Sequence, residues 1–312
     1  VLPDLPPVLE SYSLTPSEAL GIPIALVGAV LLSLGAHYQH KGVVKVDDAT
    51  SGGGTGLNIR QLLALAARPS WLIGTILLGI AVLFQLTSLR FSPLTVVQPL
   101  GAVGLVVTAI LSSRSSGIKL DRVTKRAIGF CIGGVALFVT IAALTTKSHP
   151  ITELQLTVVL IILAVVLTAA AILFGIFRHR MRALAYVVGA GVLFGFVATL
   201  AKVVIGRITT LIELDEQRGG IEWLTIGCVI ALVLAAALGS YFVQSAYSSG
   251  PPDLVVAGLT VIDPIVAITI GIVVLGEAAT APWWAIVAFA IAGALAIYGV
   301  FQIAKHHPQI QR

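Results

Sequence analysis

The sequence predicts an all-α polytopic membrane protein with about nine membrane-spanning helices. Three observations lead there. Of 312 residues, 57% are hydrophobic and only 11% charged, with a mean hydropathy of +1.02. Soluble domains carry about 25% charged residues, so this chain has too few charges to cover a water-soluble globule. Nine stretches reach the roughly 20 mostly apolar residues that a helix needs to cross about 30 Å of hydrocarbon. None of them alternates in polarity as the strands of a membrane barrel would. A cytosolic enzyme, a secreted disulfide scaffold and a disordered region are excluded together. The two cysteines, Cys131 and Cys228, lie inside apolar runs and indicate neither a metal cluster nor a disulfide framework.

The runs follow one another at 20–38, 71–89, 91–112, 126–145, 154–176, 184–206, 222–247, 254–276 and 282–303. Residues 1–19 carry Asp4, Glu10 and Glu18 without a basic residue, so they lack the positive start of a signal peptide and fit an outside tail. Between the first two runs, residues 39–69 are polar, with Lys41, Lys45, Asp47 and Asp48 before a Ser51–Gly56 linker. That glycine run lacks the Gly-Lys-Ser/Thr ending of a phosphate loop and reads as a linker. Residues 57–68, with Leu57, Leu62, Leu63 and Leu65 beside Arg60 and Arg68, fit a short amphipathic helix on the membrane surface. The fifth run holds no charge from Leu154 to Phe177. Trp71, Trp223, Trp283 and Trp284 all stand at the beginnings of spans, the level of the interfacial aromatic belt. Small residues at four-residue spacing (Gly129/Gly133, Gly191/Gly195, Ala288/Ala292/Ala296) mark faces where helices can approach closely.

Nine spans put the termini on opposite sides. With the N-terminus outside, fourteen of the nineteen Lys and Arg fall on the inner side and four on the outer, with Lys202 inside a span. The basic bias therefore orients the chain N-out and C-in, in the inner (plasma) membrane of a cell. The pI near 9.4 then reflects loops facing anionic lipid and implies no nucleic acid.

The chain also repeats itself. Leu94-Thr-Val-Val-Gln98-Pro99-Leu-Gly-Ala-Val103 aligns with Leu259-Thr-Val-Ile-Asp263-Pro264-Ile-Val-Ala-Ile268 at a constant offset, sharing five of ten residues and a polar-Pro pair. One copy lies in the third span and the other in the eighth, so they run in opposite directions. Inverted repeats with proline-interrupted helices near the pseudo-twofold are typical of secondary transporters.

Asp263-Pro264 followed after an apolar run by Gly276-Glu277 resembles the signature that closes a repeat in EamA-type members of the drug/metabolite transporter superfamily. The stretch Leu89–Ala102, running on to Ala109–Ser113, is similar to the NIPA branch, whose members are described as magnesium transporters. The resemblance covers most of the chain and is strongest over 71–113 and 241–277. It implies ten helices, five plus five; this sequence offers four plus five, with the polar segment 39–69 where the second helix of the first repeat would fall. The organisation expected is an extracytoplasmic tail (1–19), a first repeat of four spans with a cytoplasmic polar segment at 39–69 (20–145), a second repeat of five spans (154–303) and a cytoplasmic tail (304–312).

Charged groups in the bilayer centre cost about 2.5–3.5 kcal/mol on insertion scales, so the few present are informative. Asp263 lies about ten residues into the eighth span, beside a proline that frees a backbone carbonyl. Lys202, four residues from the outer end of the sixth span, matches a lysine of the NIPA branch; it pairs with Asp263, meets substrate or snorkels outward. Gln98 is the repeat partner of Asp263. Gln85, Tyr241 and Gln244 occupy the repeat-related second and seventh spans. These six are the candidate substrate-binding residues, with helix packing as the alternative for each. His37 and His40 share a helix face without a third ligand nearby, and Arg90 and Glu277 are expected at exposed or interfacial span edges, with a structural cap as the alternative for Glu277.

The expectation is a non-enzymatic secondary transporter of a small polar or amphipathic metabolite, working by alternating access without a cofactor. No nucleotide-binding motif, Ser/His/Asp set or metal cluster appears within the spans. A NIPA-like Mg²⁺ transporter is the alternative. A single carboxylate beside a lysine suits that ion poorly, since it wants six oxygens in octahedral geometry. A membrane scaffold or a translocase of lipid-linked intermediates is the third reading. The partners are the bilayer and a small-molecule substrate; a homodimer stays open.

Overall fold

A computed structural model describes residues 14–47, 68–117, 120–177, 183–213, 223–249 and 252–305. After a one-turn helix, α1 (Pro16–Ala19), come α2 (Gly21–Asp47), α3 (Pro69–Phe91), α4 (Leu94–Ser116), α5 (Arg122–Thr145), α6 (Glu153–Phe177), α7 (Ala183–Glu213), α8 (Trp223–Ser249), α9 (Pro252–Val273) and α10 (Trp283–Lys305). Nine of these are long and apolar enough to cross a membrane, and the described residues contain no strand. The protein is a multi-pass helical membrane protein. The expected short helix at 57–68, apart from Arg68, lies outside the described residues.

Local chemistry fixes the helix ends. Pro69 and Pro252 stand at the first positions of α3 and α9, where the missing amide costs nothing. Asp121 caps α5 by accepting from the Thr124 amide at 2.7 Å. Gly117, at φ 68°, closes α4 in the left-handed conformation. Two helices are longer than expected. α2 runs nine residues past 38, through Lys41 and Lys45, and α7 runs seven past 206. Hydropathy marks where apolar character stops, whereas a helix continues until its backbone bonding is interrupted.

α4 and α7 are the most buried spans, and α6 and α8 the most exposed to lipid. α2 packs along α3 and α4, and α7 packs along α8 and α9; α5 packs along α10, and α4 crosses α9. Lipid offers no hydrophobic drive between helices, so these contacts rely on close backbone approach. A Cβ on Gly191 would meet Ile262 at 2.7 Å, and one on Gly195 would meet Val266 at 2.7 Å and the Asp263 carbonyl at 3.0 Å. That pair and Ala292/Ala296 act as the spacing suggests. Gly129/Gly133 do not, for nothing lies within 4 Å of a Cβ at either position. The α5 glycine that approaches α10 closely is Gly134, whose Cβ would meet the Ala292 carbonyl at 2.8 Å and the backbone amide of Ala296; Gly299 of α10 does the same against Ala127 and Cys131.

Adjacent glycines should therefore respond differently to one methyl group. Gly134→Ala is expected to cost about 1–3 kcal/mol through overpacking against backbone. Gly133→Ala should be neutral. Melting curves of the detergent-purified variants test this, and equal melting temperatures would contradict the α5–α10 packing.

Candidate functional site

Only Ser92 and Pro93 separate α3 from α4, so two helix ends meet inside the bundle. Helix ends leave their last carbonyls and first amides unpaired, which low-dielectric surroundings make costly. Leu89, Ser92, Leu94 and Thr95 are all buried. Two charged side chains resolve the problem. Lys202 of α7 donates from Nζ to the Leu89 and Ser92 carbonyls, each at 2.7 Å, and to Ser148 Oγ at 3.0 Å. The Glu277 carboxylate accepts from the Leu94 amide at 2.6 Å, the Thr95 amide at 2.8 Å and Thr95 Oγ1 at 2.6 Å. The cation sits at a helix C-terminus and the anion at a helix N-terminus, the arrangement that helix dipoles favour.

The backbone after α9 puts Glu277 there. Gly276 has φ 72°, which a residue with a Cβ rarely adopts, and the turn brings the Glu277 amide back to the Gly271 carbonyl at 3.0 Å. The Gly-Glu pair is thus one device: the glycine turns the chain and the glutamate caps a helix from the other half of the sequence. More bonds gather at this surface. Glu18 accepts from the Ser148 amide at 2.9 Å, Ser92 Oγ donates to the Glu18 carbonyl, and the Lys147 amide donates to the Glu277 carbonyl at 3.0 Å. Gln155 of α6 donates to the last carbonyls of the α9 turn, Val274 at 3.1 Å and Leu275 at 3.2 Å. A pocket of about 390 Å³ opens beside Lys202, Glu18 and Arg90.

The second feature lies deeper. Pro99 of α4 and Pro264 of α9 line one cavity of about 90 Å³, together with residues of α5 and α10. Its walls, which include Phe138, Ile265, Ile268 and Val300, are almost wholly apolar, so the cavity is dry in character. Gln98 and Asp263 immediately precede the two prolines. Gln98 is buried, and Asp263 Oδ1 is buried without a hydrogen-bond partner.

The six residues singled out from sequence therefore separate. Gln98 and Asp263 stand at the crossing of α4 and α9. Lys202 of α7 lies at the α3–α4 turn, the end at which α9 exits toward Glu277, and no hydrogen bond or ion pair links it to Asp263; the carboxylate charges that act on it are those of Glu277 and Glu18. Asp263 sits about 15 Å along α9 from that end, at 1.5 Å per residue, so the two do not form a pair. Tyr241, 54% exposed, and Gln244 face outward from α8 rather than into the cavity. Gln85 is half-buried on α3. Glu277, placed by sequence at an exposed or interfacial edge, is only 2% exposed. His37 makes a ring contact with its neighbour Tyr38, and the His40 side chain lies outside the described residues. Ser148 and Gln155 had no signal in the sequence, because their partners are backbone carbonyls and side chains brought together only by folding.

No protein-family model and no solved structure matches this chain. It is 26% identical over 299 residues to an uncharacterized protein of Corynebacterium glutamicum, a match spanning 93% of this chain and 96% of the relative. The similarity thus extends over most of the chain and is not confined to one motif.

Replacing either charge should loosen the α3–α4 turn. Glu277→Gln presents a donor to amides that need an acceptor, and hydrogen bonds to charged groups are worth about 1.5–3 kcal/mol. Lys202→Met strands buried carbonyls at a similar cost. Thr95→Val removes only the hydroxyl bond and should cost about 1 kcal/mol. Thermal unfolding in detergent should rank the three accordingly, and a Glu277→Gln protein as stable as wild type would refute the capping role.

Proposed function

We propose that this protein is a secondary transporter of the drug/metabolite type, moving a small polar or amphipathic metabolite by alternating access. The halves 20–145 and 154–303 are read as inverted repeats in the inner membrane, with the N-terminus outside. The packing supports that pairing. The contacts α2–α3, α2–α4, α3–α4 and α4–α5 have their counterparts in α7–α8, α7–α9, α8–α9 and α9–α10. α2 then corresponds to α7, and the helix without a described counterpart is α6, the first of its half. This differs from the expectation that the second helix of the first repeat is missing, because α2 packs as a second helix does.

One observation carries the transport reading: the symmetry is broken at one end. α3 contacts α7 where Lys202 holds the α3 terminus, whereas the counterpart pair, α8 and α2, lacks such an interface among the described residues. In an inverted repeat, the two access states exchange the conformations of the two halves. A contact made by one half and not by the other is what such an exchange needs. The latch at the Lys202–Glu277 end would then close the outer side, and its release would accompany closure of the opposite side. Asp263, with an unpartnered carboxylate oxygen at the crossing of the proline helices, is the group best placed to meet a substrate or a coupling proton.

The experiment is a thermal-shift screen of purified protein against metabolites and divalent cations, followed by uptake into proteoliposomes for each stabilising compound. The expected result is a compound that the wild type transports and Asp263→Asn does not, with expression and melting retained. Transport surviving Asp263→Asn would remove that residue from the site. Stabilisation by Mg²⁺ that disappears in Asp263→Asn would favour the divalent-cation reading.

The latch makes a separate prediction. Spin labels at the outer ends of α3 and α7 should report a longer or broader distance distribution in Lys202→Met than in wild type. An unchanged distribution would argue against a gate there.

A further inference from the structure

At the surface where α5 begins and α10 ends, a groove of about 710 Å³ runs beside the close contact that Gly299 of α10 makes with the backbone of Ala127 and Cys131. Val123, Arg126, Ala127, Gly129 and Phe130 line it from α5, and Tyr298 and Gln302 from α10. Its chemistry is graded with depth. Arg122, Arg126 and Lys305 are exposed at or near its mouth. Gln302 comes next along α10, and Tyr298 lies about 10 Å below Lys305 at 1.5 Å per residue. The Tyr298 ring meets Phe130 edge-on, with centroids 5.4 Å apart. Beside them the α5 face is open at Gly129, and one turn deeper, past the groove lining, at Gly133; a Cβ at either would touch nothing within 4 Å.

This order, cationic, then amide and phenol, then a channel without side chains, follows the layers of a phospholipid from phosphate through ester to acyl chain. The lipid-facing residues farther along α10, Leu295, Ile291, Val287 and Ile286, are apolar, so the polar pair is confined to the groove end. Asp121, an acidic group beside the start of α5, is engaged in capping α5 and is outnumbered by Arg122, Lys125 and Arg126. Open glycines at 129 and 133 also lose their obvious structural role, since the α5–α10 contact uses Gly134.

We propose that this groove is a binding site for an anionic phospholipid. The phosphate meets Arg126 with Arg122 and Lys305 at the mouth, the ester region lies beside Gln302 and Tyr298, and one acyl chain runs over Gly129 and Gly133. Basic clefts between membrane helices bind anionic headgroups through about 1 kcal/mol per basic side chain near the surface.

The test is native mass spectrometry of the full chain released from detergent after incubation with phosphatidylglycerol, with phosphatidylcholine of the same chains, or with glycerol 3-phosphate. One retained phosphatidylglycerol is expected, with phosphatidylcholine and glycerol 3-phosphate retained far less. Arg126→Ala should weaken phosphatidylglycerol retention about fivefold. Gly129→Leu, which fills the channel at a position free of neighbours, should weaken it while leaving lipid-free melting unchanged. Equal retention of the two lipids would overturn the anionic assignment. Equal retention of glycerol 3-phosphate would overturn the acyl channel, and unchanged binding in both variants would overturn the site.

Discussion

The fold turns on the hydrogen-bonding obligation of helix ends that meet away from water. A membrane bundle can leave helix termini in the interface, where solvent satisfies them, but the α3–α4 turn is buried among α2, α7 and α9. Its carbonyls and amides need partners from the protein. Lys202 supplies three donors and each finds an oxygen; Glu277 supplies two acceptor oxygens to three donors. Burying an isolated charge costs several kcal/mol. Here the two opposite charges bracket one turn without touching, and their hydrogen bonds offset the loss of water. Both come from the second half of the chain while the turn belongs to the first, so the halves are joined through their helix termini.

That join shapes the remaining features. α7 cannot slide along its axis without pulling Lys202 off the α3 terminus, and Glu277 ties the α9 exit to the α4 entry. Pro264 then stands near the middle of α9 and Pro99 in the second turn of α4, and each removes a backbone hydrogen bond from a helix whose end is held on that surface. The bundle is thus fastened at one end and interrupted by proline along α4 and α9. The glycines follow the same division. Gly191, Gly195 and Gly134 draw backbones together between helices, whereas Gly129 and Gly133 face outward and shape a surface groove.

Much of this was legible in sequence. Nine spans, their order and the proline pairing at 99 and 264 follow from hydropathy and a repeated motif, and eighteen span ends were located within a few residues save at α2 and α7. The Gly276-Glu277 motif was visible as a pattern, but its work was not. Depth along the sequence placed Glu277 at a span edge; folding buried that edge beneath another helix start. Lys202 stands out in the sequence, but pairing with Asp263 is one of several expectations it allows and not the one found, because counting residues along two helices says nothing of which partner a four-carbon side chain reaches. Tyr241 and Gln244 show the same limit, for a polar residue on an apolar helix faces either inward or outward with equal local logic.

The sequence by itself determined that the chain is helical and membrane-embedded, where its helices begin and where proline breaks their bonding. Those are properties of single segments, set by backbone chemistry and by transfer from water to lipid. Tertiary structure alone decided that two charges separated by 75 positions bracket one turn, that Asp263 Oδ1 lies buried without a partner, and which glycines touch a neighbour. Those depend on the rotation of each helix about its axis, and in lipid that rotation is fixed only by what the neighbouring helices present.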